Sequence, residues 1–301
     1  MTSEIHGLMA ALPTPRSPDG GADLDAVERV ASFALERGAR GVVPCGGTGE
    51  YFDIPLAARR AILERVLRAA QGRGVVIAGI GTASVWESVR LAEHALGAGA
   101  DAVLLPPPHF FRYRDAELLQ FYRQAARRIG GPVLLYNLAS FVSPIREDVA
   151  AELIAAEPNI VGIKDSSGRL AILRRLTCEG IPAIRIQGHD VRLADSLRQG
   201  LLDGAISGPA SVVPELSASM FETFGNEGAF AASAAFYAEF IQRMEEFPYP
   251  WALKWVAERR GLGAAWLPFP LSREQEAAAN RFRAGFDDWL DRFSAWRGTL
   301  E

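Results

Sequence analysis

Asn159-Ile160-Val161-Gly162-Ile163-Lys164-Asp165-Ser166-Ser167-Gly168 runs from an apolar stretch into a polar one, with a single lysine at the joint. A short run that is apolar at successive positions reads as a strand buried on both faces, as in a parallel sheet. The polar, Gly-terminated close reads as the loop that follows it. Seven further runs share this character, at 8–12, 41–44, 75–80, 102–105, 133–136, 183–186 and 204–206. Between them lie stretches with apolar residues at helical spacing, such as Val27, Val30, Ala31 and Ala34, or Leu56, Ile62, Val66 and Leu67. Eight strand-then-helix units in about 225 residues predict a closed (β/α)₈ TIM barrel rather than an open sheet. The runner-up, an open Rossmann-like sheet, lacks its phosphate fingerprint: Gly79-Ile80-Gly81 begins one, but Ser84 stands where the third glycine would be. The alternation stops near Gly225. Segments 228–246, 250–260 and 273–297 then read as three helices without strands between them. The expected organisation is a catalytic barrel over residues 1–225 and a three-helix C-terminal extension over 226–301.

Active sites of such barrels form at the C-terminal ends of the strands, where Lys164 is predicted to lie. The chain has 32 lysines and arginines together, and only Lys164 and Lys254 are lysines. An arginine can serve as a surface cation but stays protonated and cannot act as an amine nucleophile. A lysine that remains in so arginine-rich a chain is a candidate for amine chemistry. An apolar barrel interior around its stem would disfavour the ammonium, as a Schiff-base lysine requires. The competing reading is a structural lysine paired with Asp165. Lys254, inside the helical pattern Trp251-Ala252-Leu253-Lys254-Trp255, is expected to be exposed or to face a partner.

Other strand ends offer further groups. Tyr136, in Leu134-Leu135-Tyr136-Asn137, either relays protons or is a core tyrosine with a satisfied hydroxyl, and the residue alone favours the second. Cys45-Gly46-Gly47-Thr48-Gly49-Glu50 is either an anion-binding turn or a plain Gly-rich one. Gln187-Gly188-His189-Asp190 offers hydroxyl-binding side chains, although Asp190 also suits the cap of the next helix.

Composition excludes several classes. A net charge of −4 gives no reason to expect nucleic acid or an anionic membrane as partner. Two cysteines, Cys45 and Cys178, make no disulfide framework, and the four histidines share no metal-ligand spacing. The N-terminal sequence does not read as a signal peptide, and no apolar run approaches the roughly 18 residues that span a bilayer. The expectation is a cytoplasmic enzyme without a metal.

Four ordered segments carry a family resemblance: Gly-Gly-Thr-Gly-Glu at 46–50, Tyr136-Asn137, Gly-Ile-Lys-Asp-Ser-Ser-Gly at 162–168, and Gly-Ala-Ile-Ser-Gly-Pro-Ala-Ser-Val-Val-Pro at 204–214. The whole chain resembles the dihydrodipicolinate synthase and N-acetylneuraminate lyase family of class I aldolases and dehydratases. The resemblance implies that Lys164 forms an imine with a 2-keto acid and that Tyr136 shuttles protons. Thr48 and the backbone N–H groups of Gly47 and Thr48 would hold the keto acid's carboxylate. Gly188, Asp190 and Ser207 complete the implied substrate-binding set. No cofactor is implied beyond the covalent imine, and the assembly would be a homotetramer or homodimer. Departures narrow the substrate. Lysine-pathway synthases of the family resemble one another in a Thr-Thr pair whose first member is here Gly47. An arginine for the aldehyde's carboxylate is here Phe141, and a tyrosine reaching across the dimer aligns with Phe110. The Asp-Glu pair of the sialic acid lyases is here Asp190-Val191. The expected function is retro-aldol cleavage of a 2-keto-3-deoxy sugar acid to pyruvate. Alternatives are a dehydratase resembling 5-dehydro-4-deoxyglucarate dehydratase, a 4-hydroxy-tetrahydrodipicolinate synthase, or a non-catalytic barrel that binds a keto acid.

Overall fold

Strands β1 (Gly7–Ala11), β2 (Gly41–Val43), β3 (Val75–Gly79), β4 (Ala102–Leu105), β5 (Val133–Asn137), β6 (Ile160–Asp165), β7 (Ile184–Gln187) and β8 (Gly204–Ser207) close into a parallel barrel in chain order. β8 pairs back onto β1, with Gly7 opposite Gly204. The computed structural model describes residues 4–300. Successive residues of a strand face opposite sides of the sheet. Leu8, Ala10, Val42, Val103, Leu135 and Ile163 therefore pack outward against the helices. Met9, Val43, Leu104, Leu134, Tyr136 and Ile186 fill the interior. Both faces are buried, which is why the strands are apolar at nearly every position before their C-terminal ends. On β6, Ile163 points out and Lys164 falls on the inward side, paired with Tyr136 of β5 and Ile186 of β7. The TIM barrel expected from the alternation is the one that forms.

The helices that follow the strands include α1 (Leu24–Glu36), α2 (Leu56–Ala70), α3 (Val85–Gly97), α4 (Asp115–Ala126), α5 (Glu147–Ala156), α6 (Ala171–Cys178), α7 (Leu193–Arg198) and α8 (Pro214–Glu222). Asp23 caps α1 by accepting from the Ala26 N–H at 2.9 Å. Asp190 does not cap α7. A 3₁₀ turn over Asp190–Arg192 precedes that helix, and the Asp190 carboxylate turns inward instead.

Three helices complete the chain: α9 (Glu227–Met244), α10 (Trp251–Arg259) and α11 (Arg273–Arg297). Asn226 caps α9 through the Ala229 N–H, and a Ser272/Gln275 capping box opens α11. Tyr237, Phe240, Ile241 and Met244 form one buried face of α9 at helical spacing. The fully buried Trp289 of α11 locks onto that helix, its ring 4.9 Å from Phe240 and stacked 5.5 Å from Phe293. Burial of an aromatic cluster of this kind contributes several kcal/mol, roughly 1.5–3 for each large side chain. The packing fixes α9 against the catalytic end of the barrel.

Candidate active site

A cavity of about 700 Å³ opens at the C-terminal ends of the strands. Gly47, Thr48, Tyr136, Lys164, Gly188 and Asp190 all line it. Six residues from four different strand ends thus converge, as the barrel topology requires of residues separated by some 140 positions in sequence.

Lys164 is 4% exposed. Its Nζ lies 3.4 Å from the Tyr136 hydroxyl and 4.5 Å from the centre of that ring. Burial lowers its pKa from the ordinary 10.5 to about 8, against an opposing pull from the Asp190 carboxylate. Gly188 makes room for the lysine: a Cβ there would collide with the Lys164 stem and the Ser166 hydroxyl. Asp165 is not the lysine's partner. Its carboxylate accepts from Asn137 Nδ2 at 2.9 Å and from the Ser167 N–H at 3.0 Å, and burial raises its pKa. Asn137 in turn accepts from the Ile145 N–H at 3.0 Å, which ties down the loop after β5.

Tyr136 is buried, and burial raises its pKa, so its hydroxyl remains a protonated donor and acceptor. It stands against Gly47, 3.2 Å from where a Cβ would be. A hydroxyl touching both the amine and the Gly-rich turn can pass a proton between an attached substrate and the lysine nitrogen.

Thr48 Oγ1 is 2.8 Å from the hydroxyl of Tyr249, a residue in the joint between α9 and α10. The Tyr249 hydroxyl reaches in over Gly208, where any side chain would collide with it. Glu50, at φ +53, forms an ion pair with Lys254 of α10 at 2.7 Å, and both side chains are at most 10% exposed. Thr14 Oγ1 donates to the Gly49 carbonyl at 2.9 Å. The Gly-rich turn is therefore held from below and from the C-terminal helices at once. Lys254, expected to be exposed or to face a partner, is instead buried within this chain; the reason is Glu50, whose position the helical pattern around Lys254 does not reveal.

Asp190 accepts a 2.6 Å hydrogen bond from the Tyr237 hydroxyl of α9. Ser207 lies 3.0 Å from the same hydroxyl and, at 1% exposed, does not line the cavity. It sits behind Tyr237, where its hydroxyl also helps hold the Asp190 carboxylate. Burial raises the Asp190 pKa, while Tyr237, Ser207 and Lys164 oppose the rise.

Arg112 and Arg146 do not line the cavity. Arg112 donates to the Val142 carbonyl at 2.6 Å, and Arg146 pairs with Asp115 and Asp148 at 3.5 Å. Phe110 also stays out of its own chain's cavity; it is 89% exposed at φ +91. Among the described residues, no three His, Cys, Asp or Glu side chains gather as a metal cluster. Sequence reasoning missed Tyr237 and Tyr249. For Tyr237 the available signal was a tyrosine on the apolar face of a helix, a pattern common in cores; for Tyr249, in the Pro-rich joint between α9 and α10, local sequence carried no signal of its contact with Thr48.

Comparison with known proteins places this geometry among relatives. The dihydrodipicolinate synthetase family pattern matches residues 4–285. The 4-hydroxy-tetrahydrodipicolinate synthase of Acidiphilium cryptum is 31% identical, over 93% of this chain and 97% of that protein. A probable 2-dehydro-3-deoxy-D-pentonate aldolase of Escherichia coli is 30% identical, over 79% of this chain and 80% of that one. The crystal structure of a chloride-inhibited dihydrodipicolinate synthase from Acinetobacter baumannii, complexed with pyruvate, superimposes with a TM-score of 0.87 at 26% identity. That match covers 95% of this chain and 99% of that one.

Proposed function

This chain belongs to the dihydrodipicolinate synthetase family of Schiff-base lyases, and on that premise we propose that Lys164 attacks the C2 carbonyl of pyruvate or of a 4-hydroxy-2-keto acid. The 2-keto-3-deoxy sugar acids belong to that second class. The observation that carries the proposal is the desolvated Lys164 amine 3.4 Å from the Tyr136 hydroxyl in an open cavity. Tyr136 moves the protons that convert the carbinolamine to the imine and back. Thr48 Oγ1 and the N–H groups of Gly47 and Thr48 hold the carboxylate next to the ketone, as small residues that let the backbone approach an anion permit. The protonated imine then draws electrons from the C3–C4 bond. The C4 hydroxyl loses its proton, an aldehyde leaves, and the pyruvate enamine remains on Lys164. Protonation at C3 and hydrolysis release pyruvate and regenerate the amine. No cofactor is needed for this sequence.

Phe141 weighs against condensation with aspartate semialdehyde, because among the described residues no arginine lines the cavity to receive that aldehyde's carboxylate. Loss of the C4 hydroxyl in place of C3–C4 cleavage would make the same imine a dehydratase intermediate. The polar Asp190 favours cleavage, since a carboxylate near the imine can take the C4 hydroxyl proton. The same reading takes the enzyme as cytoplasmic and as a homotetramer or homodimer, in line with the resemblance; among the described residues no helix is long and apolar enough to cross a membrane.

The test is borohydride reduction in the presence of pyruvate, followed by peptide mass mapping. A stable adduct on Lys164 is expected. The chain's other lysine is Lys254, paired with Glu50, so the site of attachment is unambiguous. A Lys164→Ala variant that keeps its activity would refute the proposal.

A further inference from the structure

The imine chemistry occupies a small part of the cavity. Pyruvate has six heavy atoms, about what a few tens of Å³ enclose, whereas pockets of several hundred Å³ suit much larger ligands. The remaining wall is largely apolar. Four of the ten large apolar side chains left exposed among the described residues, Phe52 (70%), Phe141 (70%), Val191 (49%) and Tyr249 (48%), line this one cavity. Ile241 and Met244, on the α9 face that begins with Tyr237, continue that wall. Apolar side chains left exposed together around a cavity mark a binding surface.

The charges agree. Among the described residues that line the cavity, Lys164 is the only lysine or arginine. The carboxylates lining it are those of Glu50, Asp190 and Glu245, and only Glu50 has a lysine partner. An aldehyde carrying its own carboxylate would meet two carboxylates without a lysine or arginine partner, and no lysine or arginine besides the imine-forming Lys164. A polyhydroxylated aldehyde would find hydrogen-bonding groups in Ser140, Ser166, His109 and His189, but hydroxyls turned toward Phe52, Phe141, Val191, Ile241 and Met244 would face phenyl and alkyl groups, and burying an unpaired hydroxyl is unfavourable.

We infer that the acceptor half of the cavity takes an uncharged aldehyde bearing an apolar, aryl-sized substituent, so that within the 4-hydroxy-2-keto acids the enzyme prefers 4-aryl or 4-alkyl members. The inference rests on the imine reading above. The step balances without an oxidant or reductant. The enamine carbon of Lys164-bound pyruvate adds to the aldehyde carbon, forming the C3–C4 bond. The aldehyde oxygen gains a proton and becomes the C4 hydroxyl. One water then hydrolyses the imine and frees the product, and cleavage is the reverse.

The experiment uses the full chain. Borohydride trapping with pyruvate comes first. Pyruvate is then condensed separately with benzaldehyde, glycolaldehyde and succinic semialdehyde, and each product is quantified by mass spectrometry. The expected kcat/KM for benzaldehyde exceeds that for either other aldehyde by about tenfold or more, the scale on which apolar pockets discriminate. In Phe141→Arg, the benzaldehyde to succinic semialdehyde ratio is expected to fall by a similar factor, because the substitution removes apolar wall and adds a cation. Phe141 is mostly exposed, so the variant retains its fold. Trapping without faster turnover of benzaldehyde overturns the apolar-acceptor inference and leaves the imine reading standing. A protein that traps no pyruvate fails at the earlier step and refutes both.

Discussion

Raising the pH should switch on imine formation near pH 8 rather than near the ordinary lysine value. Only the neutral amine attacks a carbonyl, and burial lowers the Lys164 pKa from 10.5 to about 8. At pH 7 this leaves about a tenth of the amines neutral, against roughly one in three thousand for an ordinary lysine, a gain of roughly 300-fold. The assay mixes enzyme with excess pyruvate, quenches with borohydride at short times, and reads the Lys164 adduct by mass. The initial rate should climb about tenfold per pH unit and then level off just above pH 8. The nearby Asp190 carboxylate holds the pKa up, so Asp190→Asn should move the midpoint to lower pH. Stability supplies an independent check of sign. The folded pKa lies below the unfolded one, so between about pH 8 and 10.5 the unfolded chain binds more protons, and stability rises with pH across that window. Below about pH 8 both states are protonated and the full cost of the buried ammonium persists. Lys164→Met should therefore unfold at higher urea concentration than the parent at pH 7, by up to about 3 kcal/mol, and the difference should vanish above the unfolded pKa. A rate midpoint at pH 10 or above would mean a solvated amine and would refute this reasoning.

Tyr136→Phe removes the hydroxyl 3.4 Å from Lys164 without disturbing the ring's packing. It should lower kcat about 10²- to 10⁴-fold while a slowly formed pyruvate adduct is still trapped. Tyr237→Phe takes away the 2.6 Å donor to Asp190 and one of the groups that hold its pKa down. More of Asp190 becomes protonated, the pull on Lys164 weakens, and the pH–rate midpoint should shift down, a change that loss of packing alone would not produce. Lys254→Met leaves Glu50 buried without its counter-charge and should cost about 3–5 kcal/mol in urea unfolding, with much of the loss restored by pairing it with Glu50→Gln. Gly208→Ala drives the Tyr249 hydroxyl off Thr48, and a several-fold rise in the KM for pyruvate with less change in kcat is the expected steady-state result.

What was legible in the sequence follows the range of the interactions involved. The strand runs announce themselves because both faces of each strand are buried, so a local window of four or five apolar residues carries the signal. Lys164 was legible for the same reason. One charged residue ends such a run, and the topology dictates that strand ends share one mouth. Tyr136 was ambiguous alone, because a buried tyrosine at a strand end looks the same whether its hydroxyl meets an amine or a backbone carbonyl; only the β5–β6 register, which sets Tyr136 beside Lys164, separates the two. Lys254 was misread because an amphipathic pattern predicts the face of a helix but not an ion partner 204 positions away. Its neighbours Trp251, Leu253 and Trp255 are all buried, so no polar face existed for it to occupy, and a lysine flanked on every side by buried residues must find a carboxylate.

The C-terminal helices show where local reading stops. Their residues pack as an ordinary helical bundle around Trp289, and that part of the pattern is visible in spacing alone. Yet three side chains leave the bundle and reach the barrel mouth: Tyr237 to Asp190, Tyr249 to Thr48, and Lys254 to Glu50. Each satisfies a polar group that the barrel itself leaves without a partner of the right kind. Without these side chains, in the buried site as it stands, Asp190 would lose its Tyr237 donor and Glu50 its counter-charge, and low-dielectric surroundings penalise unpaired charge heavily. The extension is therefore part of the active site's electrostatics, and its contribution has a consequence for the chemistry. Asp190 is the group that opposes the burial of Lys164, and Tyr237 is the first of the groups that hold the Asp190 pKa down against burial. The lysine's pKa is thus tuned in two steps from a helix that contributes no residue to the barrel's strands.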